Sequence, residues 1–310
     1  MSDLTSAHGE QGRQSAAPAI RSVDRACELL AAFTLDAPAL ALSELSRQVG
    51  LPKATVHRIA SALLSRGMLA QSADGRYRLG VKVLELGAVV RESLNAVQIC
   101  RPVMAALAAR TSETVLLATA DWPALELLIV QRLESPHPLS VGSPVGRRLP
   151  LSPGSVVSKA LLAGLPPLEA EGLVARLPMT PSTRRTILGR DELLADIERA
   201  RRQGFAFEQG EYYDGVCGVA VPIIYDGSRP LASIGIVGPE TRIASEMKAL
   251  GELLVEETKA MRPVRLPESG ATVGAEELSA PGGRSGHEHA PGGRSGQRRA
   301  RARSDGQMRG

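Results

Sequence analysis

Serine, lysine, cysteine and histidine are the residues of this chain that could support covalent or metal chemistry, and their spacing decides whether they do. A serine nucleophile with a lysine base needs the S-x-x-K interval, which sets amine and hydroxyl side by side on a helix. Ser155 and Lys159 are four apart, one residue too many, and Ser158 adjoins Lys159 and so faces elsewhere. No Gly-x-Ser-x-Gly elbow is present. Cys217 would need a histidine, yet His8, His57, His137, His287 and His289 are scattered along the chain. His287-Glu288-His289 lacks the i, i+4 interval of a helical zinc site, and Cys27, Cys100 and Cys217 have no second ligand at short spacing. The expectation is no catalytic residue, no metal site and no cofactor, with Lys159 a structural or capping residue. An enzyme using Ser155 and Lys159 is the alternative.

A second set of residues suits recognition. In LPKATVHRIASALLSRG (Leu51 to Gly67), apolar Val56, Ile59, Ala60 and Leu63 recur at i, i+3, i+4 and i+7, so a helix here buries one stripe. Lys53, Ala54, Thr55, His57, Arg58 and Ser61 belong to the rest of its surface. Pro52 suits the first helical position and Gly67 the left-handed residue after the last. Upstream, Leu42 to Gly50 reads as a shorter helix with Ser43 as its N-cap, which makes a helix-turn-helix. The second helix of such a pair leads with its N-terminal residues into the DNA major groove. An ordinary amphipathic hairpin shows the same pattern, and the following segment separates the two. There, Ala73-Asp74-Gly75 is a hairpin turn between strand-like runs, and Arg76, Tyr77 and Arg78 alternate into Leu79, which is the pattern of a wing. Ser22 to Phe33 supplies a packing helix with Val23, Ala26, Cys27, Leu30 and Phe33 on one stripe. The expected DNA-facing set is Arg21, Ser43, Lys53, Ala54, Thr55, His57, Arg58, Ser61, Arg76, Tyr77 and Arg78.

From about Ile20 to about Met261 the chain resembles the IclR family of bacterial transcriptional regulators. The likeness is carried by IRSVDRACELL, by LSELSRQVGLPKATVHRIASALLSRGML, by GRYRLGVKVLELG, by ESPHPLSVGSPVGRRLPL, by the helix at Ser158 to Ala163, and by GVCGVAVPIIYDGSRPLASIGIVGPETRI. The resemblance implies a winged helix-turn-helix, a linker helix that helps to form a dimer, and a GAF-like effector-binding domain. It also implies a ligand-responsive regulator, with repression the commoner mode and activation the alternative.

Composition agrees. No run approaches the roughly 20 apolar residues of a membrane span, and the polar start MSDLTSAHGEQGRQS has no signal-peptide core. Three scattered cysteines give no disulfide framework, so a cytoplasmic protein without membrane contact is expected. Residues 1–82 hold 10 Lys+Arg and 7 Asp+Glu, whereas residues 83–262 hold 19 and 21, which puts the cationic excess in the part expected to meet DNA.

The pattern divides the chain into a polar arm (1–18), a winged domain (19–80), a linker helix (81–98), an effector domain (99–262) and a basic low-complexity tail (263–310) in which APGGRSG occurs twice. The linker segment Val81 to Glu92 has an apolar stripe of Val83, Leu84, Leu86, Gly87 and Val90 with nothing of its own to pack on, so a second copy is the expected partner in a dimer or tetramer. In the effector region, Thr114 to Thr119 and Leu125 to Arg132 read as neighbouring strands. Helices follow at Ser155 to Ala163, Leu168 to Arg176 and Asp191 to Gln203, then strands at Val216 to Tyr225 and Leu231 to Val237, joined by a turn at Asp226-Gly227-Ser228, and a last helix at Ser245 to Met261. Strands with direct hairpins and helices between them predict an α+β domain with an antiparallel sheet flanked by helices.

Within the family, members that take small keto acids line the pocket with backbone amides before the Ser158-Lys159 helix, an acidic residue, a cysteine and two serines. The matching positions are Val156 and Val157, Glu208, Gly218 with Cys217 beside it, and Gly235 and Val237. Both serines lack a counterpart with a hydroxyl. The expected effector is therefore larger or more apolar, an aromatic or alicyclic catabolite between Val157, Cys217 and Val237 with Glu208 at its polar end.

Overall fold

The computed structural model describes residues 20–224, 229–259 and 261. The expected arm, the tail and the turn at Asp226-Gly227-Ser228 lie outside the described residues.

The winged region runs α1 (Arg21–Ala31), β1 (Ala39–Leu40), α2 (Leu42–Gln48), α3 (Lys53–Ser65), β2 (Leu69–Gln71) and β3 (Tyr77–Leu79). Its core is one cluster of Leu29, Phe33, Leu40, Leu45, Val56, Ala60, Leu69 and Tyr77. Helix α3 ends as its sequence requires. Gly67 takes φ +69°, its N–H donates to the Leu64 carbonyl at 3.0 Å, and the Met68 N–H donates to the Leu63 carbonyl at 3.0 Å, the paired bonds of a Schellman cap.

Three local expectations shift. Pro52 is the N-cap of α3 and not its first helical residue. Ala41, not Ser43, is the N-cap of α2; its side chain has no acceptor to offer, and Glu44, at the third helical position, accepts the Ala41 N–H at 2.7 Å, the glutamate half of a capping box. On α1 the buried residue is Leu29, with Phe33 just beyond the helix, while Val23 and Cys27 are exposed. The wing also gains a third strand, β1, which pairs with β3.

Helix α4 (Val81–Ser93) links this region to α5 (Asn95–Thr111), β4 (Thr114–Asp121), β5 (Glu126–Leu133), β6 (Arg148–Pro150), α6 (Val156–Ala163), α7 (Pro167–Arg176), α8 (Arg190–Gln203), β7 (Ala206–Gln209), β8 (Val216–Ile224), β9 (Pro230–Pro239), α9 (Glu240–Ile243) and α10 (Met247–Lys259). The strands form one antiparallel sheet in the order β6-β5-β4-β9-β8-β7. Alternate residues of each strand feed two cores. Ala118, Ile129, Ala220 and Val237 join α6, α7 and α8 on one face. Val115, Val219, Ile234 and Ile236 join α5 and α10 on the other. The edge strands β6 and β7 were not evident in the sequence; each is only three or four residues long and β6 follows a Pro/Gly-rich connection.

Candidate functional sites: a DNA-reading face and an apolar pocket

On α3, Val56 and Ala60 are fully buried, which turns the opposite side outward. Lys53, Ala54, His57, Arg58 and Ser61 are all exposed there, spaced i, i+1, i+4, i+5 and i+8, so they form one continuous face; Thr55 is half-buried at its margin. Arg21 and Ser43 are also exposed.

The wing residues separate in an informative way. Tyr77, placed with the DNA contacts by its sequence, is 3% exposed and packs in the core. Arg76 is held by Glu44 at 2.9 Å and by the Ala39 carbonyl at 2.9 Å, so it braces the wing on α2. Only Arg78 projects freely beside this pair, exposed on β3. Strand alternation explains the split, since Tyr77 points one way and both arginines the other.

The second site is a cavity of about 60 Å³ in the effector region. Its floor is the sheet (Leu116, Leu127, Ile129 and Val237), one wall is the start of α6 (Ser155, Val156 and Val157), another is Glu208 with Tyr212, Tyr213 and Val216, and the outer wall is Val141, Gly142, Ser143 and Leu149. The Val156 and Val157 amides stand at the first two positions of α6, where an N–H has no intrahelical acceptor and favours an anion.

Four of the sequence-derived residues, Val156, Val157, Glu208 and Val237, meet in this cavity. Cys217 does not. It points to the opposite face, among Val219, Ile234 and Ile236, because it stands one residue from Gly218 on β8. Burial pushes its thiol up to about 11, which removes it as a nucleophile at neutral pH. Gly218 and Gly235 lie on the cavity face and make room for α6: a Cβ on Gly218 would sit 2.9 Å from Val156 Cγ1, and one on Gly235 3.4 Å from Val157 Cγ2. The sheet floor and the tyrosines were missed, although the period-two alternation of Leu127 and Ile129 already puts them on one face.

Behind the cavity lies a buried ionic cluster. Lys159 is 1% exposed and its Nζ contacts Asp196 Oδ2 and Glu211 Oε2, each at 2.6 Å; Arg199 also pairs with Asp196. Two cations therefore answer two carboxylates. Among the described residues Glu208 has no cation of its own. It is 2% exposed, and its Oε2 accepts the Glu211 N–H at 2.8 Å. Burial, reinforced by the Glu211 carboxylate, raises its pKa to about 7, so near neutrality it offers the cavity a carboxyl O–H as well as an acceptor. The same cluster answers the serine–lysine alternative. The Lys159 amine is committed to carboxylates, and the Ser155 hydroxyl accepts the Ser158 N–H as the α6 N-cap.

Residues 88–261 match the family described as bacterial transcriptional regulator IclR C-terminal, and residues 22–73 match the IclR helix-turn-helix domain. The chain belongs to the IclR family. The transcriptional repressor IclR of Escherichia coli (strain K12) is 28% identical over 258 residues, 81% of this chain and 94% of that protein. XynR of the same organism, an HTH-type transcriptional regulator, is 31% identical over 227 residues, 73% of this chain and 89% of that one. Among solved structures, an IclR homolog from Microbacterium hydrocarbonoxydans complexed with 4-hydroxybenzoate superimposes with a TM-score of 0.65 at 26% identity, covering 77% of this chain and 96% of that one. As an IclR-family protein the chain is a DNA-binding transcriptional regulator and not an enzyme. Among the described residues no helix is long and apolar enough to cross a membrane.

Proposed function

We propose that this IclR-family regulator is a cytoplasmic, homo-oligomeric repressor that binds a pseudo-palindromic operator and responds to an aromatic or alicyclic catabolite. The observation that carries the effector half is the cavity itself: apolar on floor and wall, with unpaired amides at the start of α6 and a protonatable carboxyl, Glu208, across from them. A ring with an anionic group at the amides and a hydroxyl or carbonyl at Glu208 satisfies both ends. The 4-hydroxybenzoate held by the Microbacterium relative has this chemistry. A ligand at about 100 times its dissociation constant raises unfolding free energy by about 2.7 kcal/mol. Thermal unfolding against 4-hydroxybenzoate, other aromatic acids, pyruvate and glyoxylate tests this half, with operator release followed by fluorescence anisotropy. Stabilisation by the keto acids alone, unaffected by Val237→Ser, would overturn it.

The oligomeric half rests on α4. No residue of this helix is buried, and Val81, Leu84, Val89 and Val90 are 75, 74, 69 and 56% exposed, with Leu86 at 47%. A 13-residue helix with so much apolar surface needs a partner to persist, and two such helices supply one another. Leu86→Asp should yield weaker dimers and poor operator binding while the effector domain stays folded. Sedimentation at micromolar concentration checks it, and an unchanged assembly would remove this part of the reading.

A further inference from the structure

We infer that the ion pair between Asp36 and Arg147 is the latch through which the wall of the effector pocket sets the orientation of the winged domain. This rests on the reading of the cavity as the effector site.

Asp36 lies between α1 and β1, in the DNA-binding region; Arg147 lies just before β6, in the effector region. Arg147 Nη1 and Asp36 Oδ2 are 2.6 Å apart, the one side-chain hydrogen bond that joins the two regions among the described residues. Along the chain the two regions are joined by the α4 helix. At its other end Arg147 is tied to the pocket. Its carbonyl accepts the Ile129 N–H at 3.0 Å and the neighbouring Gly146 N–H donates to the Ile129 carbonyl at 2.8 Å, while the Ile129 side chain is part of the pocket floor. Val141, Gly142, Ser143 and Leu149, on either side of Arg147 in sequence, form the outer wall.

Volume says which wall must yield. The cavity is about 60 Å³, whereas a buried cavity of about 150 Å³ is the scale that admits a benzene ring. A ring-bearing effector seated wholly inside it must therefore push a wall outward. The sheet floor is held by antiparallel ladders on both sides, and α6 is buried along its whole length. The segment from Val141 to Gly146 has no regular structure and is mostly exposed, so it is the wall that gives. The segment runs into Gly146 and Arg147, whose backbones are pinned to Ile129, so its displacement reaches the latch as a rotation about those two bonds that re-aims the Arg147 side chain on Asp36. Gly142 marks the pivot, with φ +131° and the site of its missing Cβ 3.1 Å from Thr114 Cγ2.

The test reads domain orientation directly and needs no ligand for its first arm. Cys27 is exposed on α1, Cys100 and Cys217 are buried, and Ala195 is exposed on α8. A spin label on Cys27 and one on Ala195→Cys, in full-length protein diluted with unlabelled chain, report the distance between the two regions. Wild type should give a narrow distribution, Arg147→Gln and Asp36→Asn broad ones, and the exchange Asp36→Arg with Arg147→Asp a narrow one again. Single variants as narrow as wild type would overturn the latch. In the second arm, saturating 4-hydroxybenzoate should shift the wild-type distribution and change DNA affinity, and Arg147→Gln should reduce that change by about two- to fivefold, the range set by an ion pair with one exposed partner. An undiminished change in Arg147→Gln would also overturn it. Absence of any effect of 4-hydroxybenzoate on the melting of wild type would count against the aromatic effector alone, because the first arm judges the latch without it.

Discussion

Helices α3 and α6 form the two candidate sites of this protein, and they are built in opposite senses. Helix α3 buries Val56 and Ala60 fully, packs Ile59, Leu63 and Leu64 partly against the same core, and gives its opposite side to solvent. Helix α6 buries all eight of its residues, a lysine included. On the proposed reading the first meets its ligand with side chains and the second with the backbone at its N-terminus and the shape around it. Substitution on the outer face of α3 should therefore touch binding and leave folding alone, whereas substitution on α6 should reach folding first.

The largest effect expected from this contrast is at Lys159. Lys159→Met removes the cation from a site where Asp196 and Glu211 each lie 2.6 Å from Nζ, and breaking a buried pair by deleting one partner costs about 3–5 kcal/mol. Urea unfolding followed by circular dichroism should show a midpoint lowered to match. A loss below about 1 kcal/mol would mean that water reaches the cluster and that α6 is less rigid than its burial implies.

Glu208 comes next and supplies a pH signature for the pocket. Its pKa is raised from 4.5 to about 7 in the folded chain. Between those values the folded protein holds a proton that the unfolded chain has released, so stability falls as pH rises. The contribution is fully present below pH 4.5 and is lost as pH passes about 7, a change of about 3 kcal/mol. Glu211 shifts in the same direction through burial, so the comparison with Glu208→Gln isolates the one carboxyl. The glutamine variant should have a flatter profile of melting temperature from pH 4.5 to 8 and should be the more stable protein at the alkaline end. Parallel profiles would place the titration elsewhere.

The same contrast explains what the sequence made legible. The face of α3 follows from helical periodicity and from the two glycines at its ends, because side chains that serve solvent or DNA leave a polar stripe that can be counted. The pocket is assembled from strands far apart in the chain, so its floor, Leu116 beside Val237 and Ile129, looks like any other apolar strand. Glu208 was placed because the family resemblance matched both its residue type and its position. Cys217 misled for the opposite reason: a matching residue type one position from Gly218 falls on the other face of the sheet, where its chemistry is silent. Tyr77 misled likewise, since arginines on both sides of it hid a core residue. Arg147 gave no sign at all, because its partner Asp36 is 111 positions away and nothing in local pattern connects them.

On α3, Arg58 is exposed two residues past buried Val56, within the reading face. Arg58→Ala should leave the unfolding midpoint where it is and cost about 1–3 kcal/mol in operator affinity, with relaxed preference at one base pair, if the guanidinium reads a base edge. Anisotropy titrations against the operator and single-base variants measure both. Unchanged affinity and preference would move the reading face away from this residue.

The smallest effect, and the one that separates two adjacent classes of contact, is expected in the wing. Arg76 and Arg78 lie on the same side of β3, but Arg76 is already paired with Glu44 and Arg78 is exposed. A cation that neutralises one phosphate of duplex DNA displaces its counterion and contributes about 0.9 to the slope of log K against log salt. Arg78→Ala should therefore weaken binding to every sequence alike and flatten that slope by about one. Arg76→Ala should change the slope less, because its charge is answered inside the protein, and should instead loosen the brace between wing and α2 and lower the melting temperature slightly. If Arg76→Ala flattened the slope as much as Arg78→Ala, Arg76 would have to leave Glu44 when DNA binds, and the wing would be a mobile clamp with no fixed brace.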